Sequence, residues 1–360
     1  MNVILLWFKR HFADPQIVFL TLILLTVFAV VVLFGDMLMP VLASLVIAYL
    51  LEGGVGMLQR RGWKRLPSVL VIYLAFIAFV ALALIGVMPL LSRQIKELVQ
   101  QLPTMVSEGL RFLNALPEDY PDLFSQQQID ALITYMRAET ISFGQQVLSW
   151  SLANVAGIIT LLVYLVLVPI LVFFFMKDKD LILAWFRRYL PRHHGIAHHV
   201  WRELDRQIAN YIRGKVWEIL IVWGVSFVTF YAFGLRYAML LSFLVGLSVL
   251  IPYIGATVVT IPVLLVAWFQ WGWSAQFAWL SLAYLIIQVL DGNVLVPLIF
   301  SEAVNLHPVA IIVAILVFGG LWNFWGVFFA IPLATLVQAV INAWPSLPLG
   351  EREIEGSVIP

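Results

Sequence analysis

Four long stretches with almost no charge limit how this chain can fold. Residues 17–34, 68–91 and 151–176 contain no Asp, Glu, Lys or Arg, and residues 237–301 contain only Asp291. A run of about 18 apolar residues is long enough to cross the hydrocarbon core of a bilayer as a helix. Lipid offers the backbone no hydrogen-bond partners, so a spanning segment must pair its own N–H and C=O groups, in helices or in a closed barrel. The stretches here are continuous rather than alternating in polarity, which fits helices and not barrel strands. The expected fold class is therefore all-α, a polytopic integral membrane helical bundle.

Composition points the same way and removes several functions. Hydrophobic residues make up 62% and charged residues 11% of the chain, against about 45–50% and about 25% in soluble domains. A net charge of +1 with no concentrated basic face gives no footing for nucleic acid. The absence of cysteine removes disulfides, thiolate metal sites and thiol catalysis. Arg213, Gly214 and Lys215 come nearest to a phosphate-binding loop, but Ala209 stands where its upstream glycine belongs, so direct ATP-driven pumping is not expected. His194 and His198 have the i, i+4 spacing of zinc ligands between His193 and His199. No Glu completes a metalloprotease motif, and Pro191 and Gly195 disfavour a rigid helix, so this segment reads as a solvated positive turn. Ser301, Glu302 and His307 match no triad pattern. No enzyme activity, cofactor or metal is expected.

Lys and Arg gather on the cytoplasmic side of membrane proteins and so fix orientation. Lys9 and Arg10 place the N-terminus inside. No small-residue cleavage pattern follows, and Asp36 leads into a second apolar segment, so the first helix is expected to be uncleaved. One crossing reaches Phe34 and another returns from Met37 to Leu51, where Arg60, Arg61, Lys64 and Arg65 again mark the inside. Residues 92–150, with four Lys/Arg against seven Asp/Glu, fit an external region. Ile95, Leu98, Val99 and Leu102, then Val106, Leu110 and Leu113, recur at helical spacing between Pro103, Pro117 and Pro121. Amphipathic helices resting on the bundle or membrane are expected there. The basic segment 177–215 carries a second stripe, Val200, Leu204, Ile208 and Ile212. In this reading residues 1–91 hold three spans, 151–176 the fourth, 216–345 a C-terminal bundle and 346–360 a cytoplasmic tail. That makes about eight segments in a bacterial inner membrane, with both termini inside.

The C-terminal bundle is interrupted where plain spans should continue. Pro252, Gly255 and Pro262, then Gly292 and Pro297, then Gly319, Gly320, Gly326 and Pro332 fall inside apolar sequence. Residues 237–270 as one helix would be about 50 Å long at 1.5 Å per residue, against a core of about 30 Å, so strong tilt or a broken hairpin is required. Between residues 237 and 350 the titratable side chains other than tyrosine are Asp291, Glu302 and His307. A carboxylate near mid-helix costs about 2.5–3.5 kcal/mol on insertion scales, so Asp291 should face protein, water or a cation. Gln288, Gly292 and Asn293 beside it supply oxygens suited to a hard cation or a hydroxyl-rich solute. The plainer alternative is that Asp291 caps a broken helix. Glu302, Asn305 and His307 sit towards a boundary, where an interfacial pair is cheap, though His307 can also relay protons near neutral pH. Broken helices expose backbone dipoles to solutes in secondary transporters, while Gly can also serve close helix packing. The partners expected are membrane lipid and a small-molecule or ion substrate.

The chain resembles the AI-2E (autoinducer-2 exporter-like) transporter family. The resemblance is carried by Ile251, Pro252, Tyr253, Ile254 and Gly255; by Asp291, Gly292, Asn293 and Pro297; by Asn305, His307 and Pro308; and by Phe318, Gly319, Gly320, Trp322, Asn323, Trp325 and Gly326 with Ile331 and Pro332. Tyr49, Glu52, Pro169, Phe173, Lys177 and Asp178 extend it into the first half. The resemblance implies an inner-membrane protein of about eight segments that forms homo-oligomers, with a pentamer as the form to test. It also implies export of a small hydrophilic signal of the autoinducer-2 furanone type, or sodium or lithium/proton antiport, without choosing between them.

Overall fold

The computed structural model describes residues 15–119, 125–127, 129–131, 133–134, 155–188, 195–252, 254–300 and 307–343, and every regular element among them is helical. In chain order these are α1 (Pro15–Arg60), α2 (Arg65–Leu82), a π-helical turn (Ala83–Val87), α3 (Met88–Asp119), α4 (Val155–Lys177), α5 (Lys179–Arg187), α6 (Gly195–Phe233), α7 (Ala238–Ser248), α8 (Ile254–Trp271), α9 (Ala275–Leu290), a second π-helical turn (Asp291–Leu295), α10 (Val296–Phe300) and α11 (Pro308–Ala343). Five helices among the described residues are long and apolar enough to cross a membrane, joined by the shorter apolar helices Val163–Lys177, Ala238–Ser248, Val309–Asn323 and Trp325–Thr335. Large apolar side chains face outward along them. Leu82 is 72% exposed and Ile85 77% exposed, a pattern that only a lipid solvent tolerates over whole helix faces.

The chain divides into two compact units, one of residues 40–177 and 219–291, the other of residues 1–39, 178–218 and 292–360. The first has a core where α1, α2 and α4 meet at Ala48, Val55, Val69, Val172 and Met176, all buried. Gly54 allows this approach, because a Cβ there would come within 3.0 Å of the Ile72 side chain. Ser44 donates to the carbonyls of Pro40 and Val168, the latter at 3.3 Å, which gives α1 and α4 a polar tie inside the apolar contact. Arg65 closes the same three helices at one end. Its guanidinium lies 3.3 Å from the Glu52 carboxylate and donates at 2.6 Å to the Met176 carbonyl. That carbonyl belongs to the last turn of α4 and has no partner within its own helix. The basic cluster 60–65 thus includes one residue that ties three helices together. Gly62, at φ +89, ends α1 in the left-handed conformation typical of helix C-termini.

Residues Arg65–Ala115 form one continuous helical run of 51 residues, roughly 75 Å long and so well beyond the bilayer. The expected breaks at Pro103 and Pro117 do not occur, since both prolines lie inside α3. Past the lipid, water can take the carbonyls that each proline ring leaves unpaired, so a mild distortion suffices. The expected stripe is partly out of phase. Leu98, Leu102, Val106, Leu110 and Leu113 are half-buried, whereas Ile95 and Val99 are exposed. The packed face also includes Gln94, which accepts from the Leu240 N–H at 2.8 Å, Gly109 against Phe269, and Phe112, which meets Trp268 edge-on. This part of α3 therefore rests on α7 and α8, as its amphipathic pattern implies.

The expected stripe of residues 200–212 and the span that follows it prove to be one helix, α6, whose first part belongs to the second unit. Ile208 is half-buried and Ile212 fully buried, while the side chains of Val200 and Leu204 and residues His193 and His194 lie outside the described residues. α6 starts at Gly195, a residue tolerated at a helix start, so His198 and His199 stand on a helix and not in the expected turn. Replacing Arg65 with Met removes the Glu52 partner and the Met176 cap together. Losing a charge-assisted hydrogen bond costs about 1.5–3 kcal/mol, so the thermal unfolding midpoint of Arg65→Met in detergent should fall clearly. An unchanged midpoint would show that the three-helix closure does not depend on this side chain.

Candidate functional site

In residues 219–291 the interruption around Pro252 is a helical hairpin. α7 ends at Ser248, a short turn follows, and α8 returns from Ile254. The Leu250 and Ile251 N–H groups donate to Leu247 and Ser248, and the Gly255 N–H donates to Ile251, which satisfies the backbone through the turn. A Cβ on Gly255 would collide with the Ser248 carbonyl, so the reversal requires glycine there. Behind the tip, Thr260 on α8 donates to the Ala256 carbonyl and pairs with the Tyr284 hydroxyl of α9 at 3.2 Å. The entry to α7 is held by Gln270, which accepts from the Arg236 N–H at 2.7 Å and donates to the Gly234 carbonyl at 2.8 Å.

The last apolar block is built alike within its own unit. α11 is two helices that meet at Trp322 and Asn323. Asn323 has φ 50 and ψ −129, the conformation of a tight type II′ reversal that glycine usually occupies and asparagine tolerates better than most residues. A Cβ on Gly326 would strike the Phe318 carbonyl, and one on Gly319 would fall 2.8 Å from Val327. Pro262 lies fourteen residues after Ser248, and Pro332 lies fourteen after Phe318. The two hairpins therefore share a spacing measured from the carbonyl that each glycine meets. Counted from the glycines, that spacing differs by one and obscures the likeness.

Between these hairpins in sequence, α9 begins at the Ser274 cap and runs into the π-helical turn Asp291–Leu295. A π turn widens the helix and leaves a backbone step out of the regular ladder, and such turns recur at functional positions. The apolar helix Ala275–Phe300 has 26 residues, so Asp291 lies within about one turn of its midpoint. Asp291 and Gln288 are half-buried, and Gly292, Asn293 and Pro297 are exposed. His307 is exposed, and its Nδ1 accepts from the Val309 N–H at 3.3 Å, which caps the start of α11. Glu302 and Asn305 lie outside the described residues.

Residues 19–346 match the AI-2E family transporter profile. Over 345 residues the chain is 47% identical to PerM of Escherichia coli K12, a permease by name, covering 96% of this chain and 98% of that one. It is 28% identical to YrrI of Bacillus subtilis over 84% of this chain and 85% of the relative, and 26% identical to YueF of the same organism over 92% of each. Both are transport proteins by name. The chain belongs to the AI-2E transporter family. It is a multi-pass membrane transporter.

In this AI-2E transporter the structure adds residues that spacing alone did not single out. Thr260 and Tyr284 form a polar pair within apolar helices. On α6, Lys215 and Glu218 form an ion pair of 2.8 Å with side chains only 5% and 3% exposed. The i, i+3 spacing of Lys215 and Glu218 was a readable signal, but both stand at the edge of a basic loop, where charge ordinarily means solvent. Gly255→Ala and Gly326→Ala should reduce folded yield and stability by at least the 1–3 kcal/mol, roughly, that overpacking costs. Gly320→Ala, whose Cβ would meet nothing within 4 Å, should leave both intact. Equal losses at all three positions in a thermal-shift series would refute the tight-tip account.

Proposed function

We propose that this chain is a secondary transporter that exports a small hydrophilic solute of the autoinducer-2 furanone type, with the interrupted half after Val216 as its pathway. The observation that carries this reading is Asp291, on a π-helical turn with Asn293 near the middle of an apolar span and one turn after Gln288 at the end of α9. A carboxylate there is costly unless it meets water, a solute or a cation. The widened turn supplies backbone oxygens beside it, the arrangement secondary transporters use for polar cargo. In this reading Asp291 and Asn293 contact the solute or its coupling ion, and Gln288 supports them from the preceding turn. The hairpin tips at Gly255 and Gly326 allow the flanking helices to reverse within the apolar region without losing backbone pairing.

The distribution of Lys and Arg supports an inner-membrane location with both termini in the cytoplasm. Family resemblance supports a homo-oligomer as the working form. The test is furanone uptake by everted vesicles containing the intact protein or Asp291→Asn. Uptake above that of empty vesicles, reduced at least tenfold by Asp291→Asn, is expected. No uptake by the intact protein sinks the proposed cargo, and equal uptake by the variant sinks the role of Asp291.

A further inference from the structure

The Lys215–Glu218 pair calls for its own account. It lies in the apolar stretch Gln207–Phe233 of α6. Taking two charges out of water costs several kcal/mol per ion, and well-packed apolar residues of similar size often do as well or better. Ionisable groups inside membrane helices accordingly tend to mark ion or proton routes. The surroundings of this pair are specific. The Lys215 ammonium sits 5.5 Å from the centre of the Phe300 ring, within range of a cation–π attraction. One turn earlier on α6, Tyr211 packs its ring against Phe300 and Phe328 and donates its hydroxyl to the Phe328 carbonyl at 3.2 Å. Gly214 admits Phe300, since a Cβ there would fall 2.8 Å from that ring.

Phe300 is the last residue of α10, which continues directly from the π turn that starts at Asp291. The ring that lies over the Lys215 ammonium is therefore the end of the segment that carries the polar residues of the proposed pathway. The titratable or charged neighbours of Glu218 on its own helix are Tyr211, Arg213 and Lys215. Neither Val296–Phe300 nor Pro308–Ala343 contains a titratable side chain. Among the described residues no three His, Asp or Glu side chains converge as metal ligands. The neighbours supplied by α10 and α11 are chiefly aromatic rings, and an ammonium already occupies one side of the carboxylate. Of the two charged groups, the Glu218 carboxylate is the one that can take up a proton.

We propose that Glu218 is a proton-exchange site, kept ionised by Lys215 while Phe300 lies over that ammonium and open to water when the α10 segment withdraws. In the open state the carboxylate takes one proton from bulk water and becomes the neutral acid, while Lys215 keeps its ammonium. As Phe300 returns, the acid gives that proton back to water and the carboxylate pairs with Lys215 again. The proposal deepens the transport reading and rests on it, because it assigns the coupling ion to a place in the same half of the chain.

The test is infrared difference spectroscopy of the full chain in lipid nanodiscs, titrated from neutral to acid. The intact protein should gain a protonated-carboxyl band with its helical amide band unchanged. In variant-minus-intact difference spectra one component of that band should be missing in Glu218→Gln and present in Asp291→Asn, the remaining carboxyl groups cancelling. In Lys215→Met the pH dependence of that component should change, because the carboxylate has lost its ion-pair partner. Should Glu218→Gln not insert, Glu218→Asp is expected to move the band without removing it. The proposal is overturned if Glu218→Gln or Glu218→Asp leaves the spectrum unaltered, or if the band appears only as helix is lost. The measurement needs no solute. Failure of the transport reading would therefore show as absent flux with the Glu218 band intact, and failure of this inference as flux without the band.

Discussion

Every break in a membrane helix exposes peptide groups that lipid cannot satisfy, and the arrangement of the C-terminal half follows from how those groups are covered. At the α7–α8 tip the turn is paired internally, from the Leu250 N–H to the Gly255 N–H. At both hairpin tips the missing Cβ of a glycine lets one helix lie against a carbonyl of the other. The Asp291–Leu295 turn meets the constraint differently, by widening the helix without reversing it. It is there that an ionisable side chain sits in an apolar span. The breaks that only reverse the chain are sealed by packing, and the break that carries charge combines it with an amide pair and an exposed turn. This contrast separates architecture from candidate pathway more clearly than the breaker residues alone.

Prolines alone do not decide where the chain breaks. Pro40, Pro169, Pro262 and Pro332 lie inside apolar helices, where neighbouring groups and a local distortion take up the missing N–H, so the expected breaks at Pro262 and Pro332 do not occur at those residues. Pro103 and Pro117 remain inside α3, which by length has left the bilayer, so water can serve the carbonyls they free. Pro252 stands at a reversal within apolar sequence, where the chain turns and pairs backbone groups of its own. Gln94 and Gln270 show a further solution, in which a side-chain amide serves the backbone at the entry to α7. That entry needs side-chain help because Gly234 and Tyr237 both adopt positive φ there and cannot extend either helix.

Much of this was legible in the residues. Long uncharged runs give helices because lipid permits little else, and Pro252 with Gly255 and Gly319 with Gly326 mark the two reversals, whereas Pro262 and Pro332 lie inside helices. The hydrophobic pattern of residues 95–113 marks an amphipathic helix, yet its phase was read wrongly at Ile95 and Val99. A mixed stripe of Ile, Leu and Val does not reveal that Gln94 and Gly109 belong to the packed face. The Lys215–Glu218 pair was hidden for a different reason. Charge near a basic loop predicts exposure, and its burial depends on Phe300, Phe328 and Gly214, which are brought together only by tertiary packing. Thr260 and Tyr284 are likewise unremarkable in sequence and meet only because α8 and α9 pack side by side.

The central claim is that the interrupted C-terminal half borders an aqueous route while the outer helix faces meet lipid. The chain contains no cysteine, so single cysteines can be placed in the otherwise native protein and probed in intact membranes with a charged, membrane-impermeant thiol reagent. Asn293→Cys should be modified rapidly, and Leu82→Cys, on an exposed apolar face of α2, should not react. If Asn293→Cys is as inert as Leu82→Cys, the π turn lies in lipid or sealed protein, and the account of the pathway is contradicted.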